Sequence, residues 1–272
     1  MRMAVVGHVE WVEFVEVEHV PSAGEIIHAR GAWADPAGGG AVAAVQLARL
    51  AGGASLFTAL GDDELARRSR TRLAELGVAV HAEPRDEPTR RAFTLLDADG
   101  ERTITTLGRR FVPHGADLLP WAALGETDGV YLTAGDAAAA RHARAARILV
   151  VTPRAASALD GVTADAVVFS AHDDVEREAA ATLVPAPALS VATEGTAGGS
   201  WRAAGGESGR WEATHPPGPL IDQYGSGDCF AAGLTYALAA GRPLADALAL
   251  AARCGAWCAS GRGPYAGQLT RP

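Results

Sequence analysis

From residue 54 to residue 193 the chain alternates short apolar runs with helical stretches, a rhythm that leaves few folds open. ASLFTAL (54–60) is followed by the helical DDELARRSRTRLAELG (62–77) and then by VAVHA (78–82). After an interruption the order returns with DGVYLTA (128–134), an alanine-rich helix over 137–146, ILVVT (148–152), AVVFSA (166–171) and ALSVAT (188–193). Continuously apolar strands with helices between them are buried on both faces, so the pattern predicts a doubly wound, mainly parallel α/β sheet. With 48% hydrophobic positions, 272 residues suffice for a full core around such a sheet.

Two stretches break the rhythm. EWVEFVEVEHV (10–20) alternates acidic and apolar residues, the period of a strand with one apolar and one acidic face. GEIIHARG (24–31) reads as its returning strand after a turn at 21–24. RRAFTLLDADGERTITTLG (90–108) reads as a hairpin turning at Asp99-Gly100. Segments 11–31 and 90–107 together predict a small β-sheet lid inserted in one domain that spans residues 1–272. Beyond a further hairpin over 201–215, two helices are expected at 228–240 and 244–259, separated by Gly241-Arg242-Pro243.

Composition removes several classes of function. Thirty-two acidic against 24 basic residues give a formal charge of −8, which opposes nucleic acid and anionic membrane surfaces as partners. Cys229, Cys254 and Cys258 are too few for a disulfide framework and complete no zinc pattern, which fits a reduced, cytoplasmic protein. The chain opens directly on a strand, MAVVGH, and its longest uncharged stretch, 179–193, contains two prolines, so neither a signal peptide nor a membrane span is expected.

The chemistry concentrates in IDQYGSGDCFAAGLTYALAAG (221–241). Gly225, Ser226 and Gly227 precede a long helix whose first turn carries Asp228. Glycines let backbone amides approach an anion, and a helix start adds unpaired N–H donors and a favourable dipole. A carboxylate there would repel a resting phosphate, but beside an anion hole it can take a proton from an attacking hydroxyl. A helix cap on a plain turn is the competing reading of the same residues. No GK[ST] follows a glycine run, and GHVEWV after Gly7 lacks the further glycines of a dinucleotide fingerprint. Residues 193–198 follow the last parallel strand, at the end of a sheet where ligands collect.

Asp222-Gln223-Tyr224-Gly225-Ser226-Gly227-Asp228-Cys229-Phe230 resembles the D-T-x-G-A-G-D-x-F signature of the ribokinase-like, or PfkB, family of carbohydrate kinases. Gly38-Gly39-Gly40-Ala41-Val42-Ala43-Ala44 with LARLAGGASLFTALGDDELA (47–66) resembles the family's glycine-rich turn and the helix and strand after it. PSAGEII (21–27), DADGERT (97–103) and Thr193-Glu194-Gly195-Thr196-Ala197-Gly198 extend the likeness over most of the chain.

The resemblance implies transfer of the γ-phosphoryl group of ATP to a hydroxyl of a sugar or sugar-like molecule. Asp228 would be the catalytic base and Gly225, Ser226 and Gly227 the anion hole. Gly38 and Gly39 would line the acceptor pocket, and Thr193, Gly195 and Gly198 would contact the nucleotide. Magnesium is expected, because phosphate oxygens need charge compensation. The family's N-x-x-E element aligns with Ser170 and Asp173, which makes Asp173 the metal-side carboxylate, with Asp174 or Glu176 substituting after a small shift.

Departures fall on recognition. Val42 stands where the family carries an asparagine on the sugar hydroxyls, and Val12 where it carries an early aspartate. Alternation puts Glu10 and Val12 on one face and Glu13 on the other, so Glu10 is the candidate for restoring a hydroxyl contact. Trp11 and Trp33 are candidates for an apolar wall, as a nucleoside acceptor would need. Arg109 and Arg110 follow the lid hairpin and would receive a substrate phosphate if they face inward. A nucleoside kinase and a noncatalytic ligand-binding member of the fold are the alternative readings, and the lid's apolar face suits a homodimer.

Overall fold

The computed structural model describes residues 1–98 and 100–271; Asp99, half of the expected Asp99-Gly100 turn, lies outside the described residues. The chain runs through β1 (Met3–Val6), lid strands β2 (Glu10–Glu16) and β3 (Gly31–Ala37), helix α1 (Gly39–Ala51) and strand β4 (Ala54–Gly61). It continues through α2 (Glu64–Glu75), β5 (Val78–Arg85), lid strands β6 (Arg91–Leu96) and β7 (Arg102–Leu107), β8 (Gly129–Leu132) and α3 (Ala137–Arg144). Next come β9 (Ile148–Val151), β10 (Ala166–Ser170), α4 (Asp174–Ala181) and β11 (Leu189–Thr193). Strands β12 (Gly199–Ala203) and β13 (Ser208–Trp211) and helices α5 (Ser226–Ala239) and α6 (Leu244–Ala259) follow.

β1 shows why the sheet sits in the middle. All four of its residues are buried, Met3 and Val5 in one apolar cluster and Ala4 and Val6 in the other. Alternate side chains leave opposite faces, so a strand apolar at every position needs cover on both. α1, α5 and α6 supply the first cover and α3 with flanking 3-10 turns the second. The nine strands lie in the order β13-β12-β11-β10-β9-β8-β1-β4-β5, parallel except for the β12–β13 edge. This is the doubly wound, mainly parallel sheet that the alternation predicts.

The smaller sheet has the order β3-β2-β6-β7, with β2 and β6 parallel. One strand of it departs from the expectation. The returning strand is β3, not residues 24–31, and the acidic alternation stays in strand only as far as Glu16. Ile26, inside the expected strand, is 90% exposed. Adjacent Ile26 and Ile27 would point to opposite faces, whereas Trp33 in β3 stacks on Phe14 directly across at 5.0 Å. Pro36 does not break β3 because β3 is an edge strand, where a missing N–H costs no ladder bond.

Among the described residues, no helix is long and apolar enough to cross a membrane. The three cysteines are buried and unbonded to one another.

Phe14 ties the lid to the main domain. Its ring is fully buried, stacked on Trp33 and edge-on to Tyr224 at 5.1 Å, in the loop that leads into α5. Phe14→Ala is expected to cost about 3–5 kcal/mol. Urea denaturation checks it: the midpoint should fall at unchanged m-value.

Candidate active site

β1 has β8 on one side and β4 on the other, so the chain leaves its neighbourhood in two directions and opens a crevice at the strands' carboxyl ends. Two helix starts meet there. The turn into α1 is glycine because its neighbours leave no room: a Cβ on Gly40 would stand 2.6 Å from the His8 carbonyl oxygen, and one on Gly39 would stand 2.8 Å from Asp228 Oδ1. Gly38, at φ 86°, donates its N–H to the Tyr224 hydroxyl at 3.3 Å. On the other side Gly225, at φ 81°, caps α5 against Val42, whose Cγ1 lies 2.7 Å from where a Cβ would be. Val42 is therefore fully buried packing between the two helix starts rather than a substrate contact.

The three residues expected to form an anion hole differ in where their N–H groups go. Ser226 spends its N–H on the Gln223 carbonyl at 3.2 Å, which withdraws it from ligand binding. Among the described residues the N–H groups of Gly225, Gly227 and Asp228 have no acceptor and stand at the positive end of α5.

Burial pushes the Asp228 carboxyl up to about 6, and Glu176 adds to the rise while Arg154, Arg102 and Arg110 oppose it. The carboxylate whose charge bears on this centre is thus Glu176. Asp173 is occupied instead as the N-cap of α4, where Oδ1 accepts the Glu176 N–H at 3.1 Å. Glu176 in turn accepts the Ser170 N–H at 2.9 Å and is ion-paired with Arg154. The spacing D-x-x-E from Asp173 to Glu176 is that of a capping box, so the three-residue interval expected from Ser170 shifts by one helical turn.

Beyond Asp228 lies a cavity of about 190 Å³ lined by Thr193, Gly195 and Thr196 on one wall and by Ser226, Gly227 and Phe230 on another. Trp211 stacks on Phe230 at 5.0 Å to give it a flat apolar side. Gly198 does not line it. Its Cβ would fall 2.2 Å from the Trp211 carbonyl oxygen, and its own carbonyl closes the loop by accepting the Glu194 N–H at 2.7 Å, so its role is structural.

His8 and Glu10 stand beside the turn into α1, His8 against Gly38 and Glu10 across from Ala37. Glu10 turns inward as alternation requires and is only 8% exposed, but Arg90 already holds it at 3.1 Å. Burial raises the Glu10 pKa against the pull of Arg90 and Arg110. Arg109 faces away: it is exposed and paired with Glu87 at 3.3 Å. Arg110 is the inward one of the two, its Nη2 donating to His8 Nδ1 at 2.8 Å. Neither tryptophan walls the pocket. Trp11 lies under the Arg68 guanidinium at 4.4 Å, and Trp33 stacks on Phe14 with Arg262 over it at 3.9 Å.

A family model for pfkB family carbohydrate kinases matches residues 2–271. The chain belongs to the pfkB family. Membership makes it a kinase-type enzyme that transfers a phosphoryl group from ATP to a small hydroxylated molecule. Its fold is similar to that of the microbiome-derived acarbose kinase Mak1, with TM-score 0.83 at 22% identity over 98% of this chain and 95% of that one. It is similar to Arabidopsis thaliana ribokinase complexed with ribose and ATP, with TM-score 0.75 at 21% identity over 96% and 93%. The Methanocaldococcus jannaschii nucleoside kinase gives TM-score 0.76 at 18% identity over 98% and 94%. None of the curated proteins compared with the chain matches it.

For this pfkB-family chain, sequence reasoning left out Tyr224 and Arg154 at the centre. Tyr224 lies within the glycine signature, and its buried hydroxyl, which burial makes a weaker acid than usual, meets the Gly38 N–H only through folding. Arg154 follows β9 on a 3-10 turn and reaches Asp228 through folding alone, with no local signal.

Gly39→Ala would push a methyl into the Asp228 carboxylate. Turnover is expected to fall at least about 10-fold with the fold retained, read from steady-state kinetics and circular dichroism.

Proposed function

We propose that the chain phosphorylates a hydroxyl of a carbohydrate-type acceptor, with ATP as donor and Asp228 as base. One observation carries the reading: Asp228 stands between the Gly38–Gly40 turn and the Thr193 cavity, at the free amides of α5. The flat apolar side given by Trp211 and Phe230 suits the nucleotide ring, and Thr193, Gly195 and Thr196 suit its polar part. The acceptor's place is then the His8, Gly38 and Gly39 side.

In this reading Asp228 takes the acceptor's hydroxyl proton as that oxygen bonds to the γ-phosphorus and the bond to the β-phosphate oxygen breaks, releasing ADP. The N–H groups of Gly225, Gly227 and Asp228 stabilise charge on the transferred group without reorganising. The lid excludes water as a competing acceptor.

Among the described residues no cluster of three or more His, Cys, Asp or Glu side chains forms a metal cage. The donor set fits magnesium carried with the nucleotide phosphates, a hard ion that keeps several waters. Magnesium, when bound, supplies charge compensation to the phosphate oxygens. Glu176 is the carboxylate placed to hold its water shell: the Ser170 N–H and Arg154 each take one acceptor site and orient it, and its remaining lone pairs are free for water. A nucleoside acceptor finds less support, since Trp11 and Trp33 are turned away from the pocket.

ADP release measured against sugars, sugar derivatives and nucleosides tests the reading, with Asp228→Asn as control. The variant should lose about 10²–10⁴-fold in kcat. Turnover at the wild-type rate in Asp228→Asn would remove Asp228 from the mechanism.

The pH dependence follows from burial of the carboxyl. The base must be ionised, so kcat/KM should fall as pH drops through about 6. Folding raises this carboxyl from its ordinary 3.8, so its contribution to stability is present below that value and is lost as pH rises through about 6. Asp228→Asn should therefore melt above the wild type at pH 8, with the gap closing towards pH 4.

A further inference from the structure

Most arginines around the site are answered by a carboxylate. Arg85 is held by Asp117 at 2.8 Å, Arg90 by Glu10 at 3.1 Å, Arg109 by Glu87 at 3.3 Å and Arg154 by Glu176. Arg102 is exposed on the lid, over the Tyr224 ring. Arg110 is different. It is half-buried, and among the described residues no carboxylate is ion-paired with it. Its buried Nε has no acceptor among the described residues.

The one partner it has adds no counter-charge. A guanidinium only donates, so His8 Nδ1, 2.8 Å from Arg110 Nη2, must be the acceptor nitrogen of a neutral imidazole. Burial, with the charges of Arg110, Arg90 and Arg154, holds His8 well below its ordinary pKa, in agreement with that geometry. The ring fixes the plane of the guanidinium and leaves its charge whole. Glu10 and Asp228 act on that charge only from beyond ion-pair distance, and a desolvated, oriented guanidinium with no carboxylate bonded to it is a fork for a two-oxygen anion.

Its position assigns the anion to the acceptor. Against Gly38 the His8 ring comes within 3.0 Å of where a Cβ would stand, so Arg110 is seated on the acceptor wall. Arg110 does not line the cavity beside Thr193. A molecule with a hydroxyl at Asp228 and an anionic end at Arg110 would use both features.

Resting on the kinase reading above, we propose that the acceptor carries a phosphate or carboxylate group and that Arg110, positioned by His8, binds it and sets specificity for it.

The test uses the full chain with ATP and magnesium and matched acceptors: fructose with its 1- and 6-phosphates, glucose with gluconate, and glycerol with glycerate. The wild type should favour a charged member over its neutral counterpart by about 100-fold in kcat/KM. Arg110→Met should bring that ratio below about 10 through acceptor KM, with Arg110→Lys between them because it keeps the charge and loses the fork. Equal use of neutral and charged acceptors overturns the proposal and leaves the kinase reading standing. So does an Arg110→Met defect that raises KM for ATP and lowers both acceptors alike, which would place the γ-phosphate at Arg110. If no compound releases ADP, the kinase reading is what fails, and calorimetric titration with inorganic phosphate and with gluconate, without nucleotide, decides the anion site alone. Saturable binding lost in a folded Arg110→Met supports the site; no binding overturns it.

Discussion

The contact between the start of α1 and the start of α5 is the constraint on which the rest of the molecule depends. Gly39 lets the backbone reach the Asp228 carboxylate, and Gly225 lets the α5 cap reach Val42. Each approach is closer than a Cβ allows, so the two turns must be glycine and must be brought together by the sheet beneath them. β1 does this. It delivers His8 to the Gly40 N–H at 3.1 Å, while α5 packs across the same face of the sheet as α1.

That packing sets the electrostatics. A carboxylate between two helix starts is drawn towards their N–H groups and penalised by lost water, and the penalty dominates at Asp228. A carboxyl raised towards neutrality holds a proton better than an exposed aspartate would. Glu176 pushes in the same direction, and Arg154 ties it down while limiting the rise. The burial that raises the Asp228 carboxyl makes its ionised form a local cost to folding, which the surrounding apolar clusters offset.

The lid is built into this arrangement through aromatic packing. Phe14 reaches Tyr224, and Tyr224 accepts from Gly38, so lid strand, signature loop and glycine turn form one chain of contacts. The opposite end of the lid leads through Gly108 to Arg110 on His8. Both ends of the smaller sheet therefore converge on Gly38 and His8.

Much of this was legible in one dimension. The period of the apolar runs determined the doubly wound sheet, because each strand is apolar on both faces and each crossover is helical. Residues 225–228 marked a helix start able to hold an anion beside a carboxylate, since that needs only glycines and a nearby aspartate in sequence. Alternation also turned Glu10 inward and Glu13 out to Arg91. What sequence could not rank were equal neighbours. Residues 24–31 and Gly31–Ala37 both offered a strand, and only the stacking of Trp33 on Phe14 chose the second. Arg109 and Arg110 were indistinguishable until Glu87 took one and His8 the other. Asp173 and Glu176 differed only in which capped α4 and whose charge bears on Asp228. Periodicity and local backbone needs are written along the chain and determined the fold and the glycine-rich helix start at 225–228; partners distant in sequence exist only after folding, so tertiary structure decided which charges are paired and which are left open.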